Sequence, residues 1–136
     1  MSGGDNQVKR DELDELVLAA LTDDERKLSA AYLDTRVRPK GKALLGKTEV
    51  GLEGPKFVAF IDQRPGANWS HPCRYLLLDP AARQVRSVEA DTPPIHGILP
   101  MAWRLLWRSP GLDDWRLIPI QQQGPSSNPT LNEDTP

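Results

Sequence analysis

The sequence predicts an α+β fold in which helices cover a three- or four-stranded, mostly antiparallel sheet. Three observations predict it. Apolar residues recur at helical spacing near the N-terminus, short apolar runs of strand length lie in mid-chain, and thirteen prolines and ten glycines divide the rest into short elements. A length of 136 residues supports one domain of ordinary size.

An acidic helix pair is predicted over residues 9–38, after a polar segment 1–8 that we expect to be disordered. Thr22 and Glu25 have the spacing of a capping box, which predicts that a second helix begins there and runs over residues 23–35. The apolar residues of the first helix recur three and four apart: Leu13, Leu16, Val17, Ala20 and Leu21. Because this stripe is thin, the pair must pack on the rest of the chain or on a partner.

The α+β core is predicted over residues 39–121. Its first part, 39–56, contains two prolines and four glycines and is expected to be a loop or an irregular edge strand. Residues 57–62 and 73–79 are apolar runs typical of strands covered on both faces, and residues 84–89 form a third, more polar strand. Three successive strands favour an antiparallel meander.

A helix rich in tryptophan is predicted over residues 98–108, with Pro100 in its first turn. It is expected to pack on the sheet through one apolar face, formed by Leu99, Ala102, Trp103, Leu106 and Trp107. A last strand over residues 113–120 would end at a sheet edge, where Pro119 is tolerated. Residues 122–136 are polar and are expected to form a disordered tail.

Charge is unevenly distributed, although the net charge is only −2. Residues 1–35 carry nine acids and four bases, whereas residues 36–56 carry six bases and two acids. The bases of this basic strip are Arg36, Arg38, Lys40, Lys42, Lys47 and Lys56. The strip could contact phosphates, but the acidic total disfavours nucleic acid as the main partner.

Residues 41–48 match the phosphate-loop pattern G-x-x-x-x-G-K-[ST]. A phosphate loop needs a buried strand before it and a helix after it. Here residues 35–40 are charged, and residues 49–55 contain two glycines and a proline. The sequence therefore predicts that this segment does not bind nucleotide.

The loop between the first two apolar strands concentrates residue types that recognition uses. The candidate protein-binding residues are Arg64, Asn68, Trp69, Ser70 and His71. In this interpretation Trp69 is the main contact residue. In the alternative interpretation the loop is structural, with Trp69 folded back on the sheet and Asn68 capping backbone amides.

Catalysis is a third interpretation of the same region. Cys73 is the single cysteine of the chain, and His71 would lie on the same side of an extended strand. His96 is the other possible base. At the start of an apolar strand, however, Cys73 is also typical of an inert, buried residue. Two histidines and scattered acids match no ligand spacing, so we expect no metal and no cofactor.

The function that the sequence favours is a small, intracellular protein-binding or regulatory module, such as an adaptor, inhibitor or complex subunit. It would be non-catalytic and would act on a protein partner. No apolar run approaches ~18 residues and no signal-peptide pattern is visible, so we expect a cytoplasmic protein without membrane association. The alternatives are a small cysteine-dependent enzyme using Cys73 with His71 or His96, and a nucleic-acid accessory protein using the basic strip.

Overall fold

A computed structural model describes residues 12–67, 70–95 and 97–122 of the chain. Two helices come first in this part, α1 at residues 12–20 and α2 at Asp23–Lys27. Seven strands follow in chain order: β1 Ala30–Arg38, β2 Gly41–Leu45, β3 Thr48–Leu52, β4 Lys56–Asp62, β5 Cys73–Asp79, β6 Gln84–Ala90 and β7 Trp103–Arg108. A 3₁₀ helix, Asp114–Arg116, comes last. None of the helices described is long and apolar enough to cross a membrane.

Within the described residues, five of these strands form one antiparallel sheet in the order β6-β5-β4-β1-β7. Strands β4, β5 and β6 are the predicted meander, and their bounds match the prediction to within a residue or two. The α+β class and the antiparallel sheet are therefore confirmed. The predicted three or four strands are too few, because β1 and β7 add to the meander.

The second predicted helix is wrong beyond its first turn. It ends at Lys27, and the chain then forms β1, which lies between β4 and β7. Ala30 and Tyr32 pack on one face of the sheet and Ala31 and Leu33 on the other. Residues 30–33 are apolar on both faces of the strand, which is typical of a central strand. The spacings of three and four between apolar residues in this region resembled a helix only by coincidence.

The predicted tryptophan-rich helix is also wrong, because its second half is the edge strand β7. Trp103 pairs with Asp34, and Trp107 pairs with Ala31. A β-bulge between these pairs shifts the register, so that the apolar side chains of β7 serve both faces of the sheet. The predicted last strand over residues 113–120 is wrong too: only an isolated bridge from Ile120 to Leu99 remains beyond the 3₁₀ helix.

The sheet separates two apolar clusters. On one face it packs against α1, through Leu13, Leu16, Val17 and Leu21. On the other face it packs against a hairpin formed by β2 and β3, where the sequence predicted a loop or an irregular edge strand. The hairpin contributes four buried side chains, Ala43, Leu45, Val50 and Leu52.

The turn of this hairpin docks on Thr92. The Lys47 amide donates to Oγ1 of Thr92 at 3.1 Å, and Gly46 adopts φ 63°. A Cβ atom on Gly46 would lie 2.5 Å from the Thr92 carbonyl oxygen, so only glycine fits. The glycine of the phosphate-loop pattern thus permits a close backbone approach, and the segment after it is a strand instead of the helix that a phosphate loop needs.

A buried ion pair fixes α2 to the sheet. The capping box between Thr22 and Glu25 is confirmed, with both reciprocal hydrogen bonds present. Glu25 also accepts from Nε and Nη2 of Arg74 at 2.7 and 2.8 Å, and from Gln63 at 2.8 Å. Burial alone would raise the pKa of Glu25, but the hydrogen bonds from Arg74, Thr22 and Gln63 outweigh it and lower the pKa to about 2.

Candidate functional site

A pocket of about 260 Å³ lies beside the loop in which the sequence predicted binding residues. We call it the Trp115 pocket. Its walls come from the end of β4 together with the loop that follows, from Pro93, Ile95 and Gly97, and from residues 115–119. Three separate parts of the chain therefore meet there.

The base of the pocket is formed by Asp62 and His71, which are 1% and 8% exposed. Nε2 of His71 lies 2.8 Å from Oδ1 of Asp62, and the Arg64 amide donates to the same oxygen at 3.0 Å. Burial raises the pKa of Asp62, and the neighbouring His71, Arg64 amide and Arg116 offset this only in part. The base is thus a buried acid that contacts one imidazole and one backbone amide and whose pKa lies above its ordinary value.

The rim of the pocket carries Trp115, whose side chain is 72% exposed. The 3₁₀ helix that carries it is fixed to the β4–β5 loop, because Nε of Arg116 donates to the Pro65 carbonyl oxygen at 2.9 Å. Gly66 lies so close that a Cβ atom there would be 3.1 Å from the Trp115 ring. We call Pro65, Gly66, Ala67, Trp115 and Arg116 the Trp115 platform.

A second concavity lies on the other side of Trp115. This outer groove includes Arg64 and Leu28, and Leu28 is exposed despite its apolar side chain. Ile95, also exposed, lines the Trp115 pocket. Large apolar side chains therefore stand exposed on both sides of the platform.

The structure describes three of the five predicted binding residues. Arg64 is exposed in the outer groove, Ser70 is exposed on the loop, and His71 is buried at the base of the pocket. Asn68 and Trp69 lie outside the described residues, so the prediction that Trp69 is the main contact residue stays a prediction.

Sequence reasoning missed Trp115, Arg116 and Asp62. Trp115 and Arg116 fall in the predicted strand over residues 113–120, and Asp62 ends the predicted strand over residues 57–62. Asp113 and Asp114, which follow Ser109-Pro-Gly111, were the available signal, because turn residues and acids commonly precede a helical turn.

Cys73, the predicted alternative nucleophile, is fully buried. Its Sγ donates to the Thr92 carbonyl oxygen at 3.4 Å. Burial, together with the nearby carboxylates of Asp62, Asp91 and Glu89, raises the pKa of the thiol to about 12. A thiol nucleophile needs access and a lowered pKa, and Cys73 has neither. His96, the other predicted base, lies outside the described residues.

The residues that the structure describes contain no group of three or more His, Cys, Asp or Glu that could hold a metal ion. Among the described residues that line the pocket, Asp62 supplies the carboxylate and His71 the imidazole, and Cys73 is turned to Thr92.

Most cations of the basic strip face carboxylates. Arg36 and Arg38 both bind Asp34, which is completely buried, at distances of 3.0 Å. Burial would raise the pKa of Asp34, but the two arginines outweigh it and lower the pKa. Two lysines also approach acids, Lys42 at 4.0 Å from Glu49 and Lys56 at 3.9 Å from Asp79. The positive charge of the basic strip is therefore partly neutralised within the chain, which weakens its attraction for phosphate groups.

Comparisons with models of protein families, with curated proteins and with solved structures found no significant match to this chain. The Trp115 pocket and platform are the features from which a function can be argued.

Proposed function

We propose that the protein is a small, non-catalytic protein-binding module, such as an adaptor, an inhibitor or a complex subunit. Its partner docks on the Trp115 platform and inserts one side chain into the Trp115 pocket. The observation that carries the proposal is the position of Trp115, an exposed indole in a 3₁₀ helix that contacts Pro65 and Gly66 of the β4–β5 loop.

Exposure of a large aromatic ring forgoes the free energy that its burial would contribute. Binding recovers that free energy, and tryptophan is among the residues enriched at the energetic centres of interfaces. The hydrogen bond from Arg116 to Pro65 fixes the 3₁₀ helix to the β4–β5 loop, and Gly66 lies beside the ring, so the backbone that carries Trp115 is in place before a partner arrives. Less conformational entropy is then lost on binding.

The Trp115 pocket is slightly smaller than most cofactor sites. Sites for drug-sized ligands and cofactors occupy ~300–1,000 Å³. At about 260 Å³, the Trp115 pocket suits a single inserted side chain. The exposed Leu28 and Ile95 extend the apolar surface around it, as a larger contact area requires.

A cysteine-dependent enzyme has less support. The Asp62–His71 pair resembles the base and orienting acid of nucleophilic catalysis. The thiol that it would activate is fully buried, points to Thr92 and has a raised pKa.

The test is a quantitative affinity measurement with matched variants. Proteins retained from the native lysate by the full chain are identified, produced separately and titrated against wild type, Trp115→Ala and Leu44→Ala. Leu44 is the control because it is 63% exposed but lies on the hairpin.

Trp115→Ala is expected to weaken binding roughly 30-fold, as loss of ~2 kcal/mol implies, and Leu44→Ala is expected to leave it unchanged. Equal affinities for wild type and Trp115→Ala would contradict the proposal.

A further inference from the structure

The buried Asp62 carboxylate lines the Trp115 pocket, and its two oxygens are hydrogen-bonded unequally. Oδ1 receives the His71 imidazole and the Arg64 amide. Oδ2 receives no hydrogen bond from the part of the chain that the structure describes. A carboxylate that is 1% exposed has lost nearly all of its hydration. An oxygen without a donor among the described residues, such as Oδ2, therefore favours a ligand that donates a hydrogen bond.

The charge at the base favours a cation over a neutral donor. The His71 imidazole and the Arg64 amide both contact Oδ1, so neither of them lies on Oδ2 of this buried carboxylate. An ammonium group on Oδ2 would offset the cost of burying the anion, because an opposite charge within a few ångströms favours the ionised carboxylate. Charge-assisted hydrogen bonds of this kind are also the stronger ones.

The walls between Asp62 and the solvent are mainly apolar. Trp115, Ile95 and Pro119 are among the side chains that form them. A ligand that reaches the carboxylate must therefore have an apolar stem below its charged end. The lysine side chain has this form, with four methylene groups and a compact ammonium.

Arg116, which also lines the pocket, favours a lysine over an arginine as the inserted side chain. Its Nε is committed to Pro65, which keeps the guanidinium near the pocket. A second, planar guanidinium would be wider than a methylene stem in a space of about 260 Å³. A lysine ammonium is more compact and needs less of that space.

We infer that the partner residue that enters the Trp115 pocket is a lysine, with its ammonium on Oδ2 of Asp62 and its stem against Trp115. This inference rests on the proposed function. It names the chemistry of the inserted side chain and thus the class of partner segment, one that presents an exposed lysine.

The test uses capped single residues as probes of the full-length chain. The N-acetyl, N-methylamide derivatives of lysine, arginine, norleucine and glutamate are titrated into ¹⁵N-labelled protein, and amide resonances are followed by NMR. The lysine probe is expected to shift Gly66, Ala67 and Arg116 with a roughly millimolar dissociation constant. The norleucine, arginine and glutamate probes are expected to bind at least about tenfold more weakly, since norleucine lacks the ammonium, arginine is wider and glutamate has the wrong charge.

Asp62→Asn is expected to remove the preference for lysine over norleucine. The control Asp79→Asn is expected to keep it, because Asp79 lies at the end of β5 that is away from Asp62. Should Asp62→Asn fail to fold, the comparison of the four probes on the wild-type protein still decides whether the pocket prefers lysine. Equal binding of lysine and norleucine, or stronger binding of arginine or glutamate, would overturn the inference.

The two proposals fail separately. If Trp115→Ala weakens the partner complex but the lysine probe shows no preference, only the identity of the inserted residue is refuted. If the lysine probe binds but Trp115→Ala leaves the partner complex unchanged, the proposed function is refuted.

Discussion

Nε2 of His71 lies 2.8 Å from Oδ1 of Asp62, and this buried contact joins the two ends of the β4–β5 loop. Asp62 is the last residue of β4, and His71 lies two positions before β5 begins. The contact therefore closes the loop at its root. Pro65 and Gly66, which support Trp115, lie within the loop that it closes.

The two tryptophans Trp103 and Trp115 should respond oppositely to truncation. Trp103 is 3% exposed and packs in the core between the sheet and the hairpin, so Trp103→Ala is expected to cost ~3–5 kcal/mol of stability. Trp115→Ala removes an exposed ring and is expected to leave the melting temperature within a few degrees. Thermal melts followed by circular dichroism check both. A large loss for Trp115→Ala would show that its role is structural.

Gly46 is expected to be intolerant of a side chain. In Gly46→Ala, the new Cβ meets the Thr92 carbonyl oxygen in a left-handed backbone conformation, and we expect a loss of roughly 2–4 kcal/mol. Gly51→Ala is the matched control on the same hairpin, because no atom lies within 4 Å of its Cβ position. It is expected to change stability by less than ~1 kcal/mol. Urea denaturation of both variants measures the difference, and similar losses would show that the approach to Thr92 does not matter.

The thiol of Cys73 should be unreactive in the folded protein. It is buried and its pKa is raised to about 12, so the thiolate that alkylating agents attack is scarce. Iodoacetamide at pH 8 is expected to label it at least roughly a hundredfold more slowly in buffer than in denaturant, as followed by mass spectrometry. Rapid labelling of the folded chain would instead favour the cysteine-dependent enzyme.

The ion pair between Glu25 and Arg74 should make stability depend on acid pH. The folded pKa of Glu25, about 2, lies below the ordinary value of 4.5, so the carboxylate stabilises the fold above pH 4.5. That contribution is lost as the pH falls from 4.5 towards 2. Glu25→Gln is expected to be less stable than wild type at pH 7 and to show a shallower loss over this interval. Denaturant unfolding at several pH values tests this, with the exposed Glu49→Gln as a control that should keep the wild-type slope.

Local signals explain which elements could be predicted from the sequence. The capping box of Thr22 and Glu25 is satisfied within four residues of chain, and the apolar runs of β4 and β5 are buried on both faces. Strands β1 and β7 could not be recognised in this way. Their apolar spacing is compatible with a helix, and the pairing that decides it joins residues far apart, such as Ala31 and Trp107.

The candidate site was predictable only in part, for the same reason. The composition of the β4–β5 loop indicated recognition, and the structure places Arg64 and His71 beside the Trp115 pocket. Trp115 becomes part of the site only because Arg116 reaches Pro65, across 51 positions of sequence. A contact of that separation leaves no local pattern to read.

Hydrogen exchange of the chain with and without its bound partner tests the central claim most directly. The Trp115 platform is formed by residues 65–67 and 115–116, so exchange of amides in these two segments is expected to slow on binding. Amides of the hairpin β2–β3, on the control surface of Leu44, are expected to be unaffected. Protection confined to the hairpin, with both platform segments unchanged, would contradict the account.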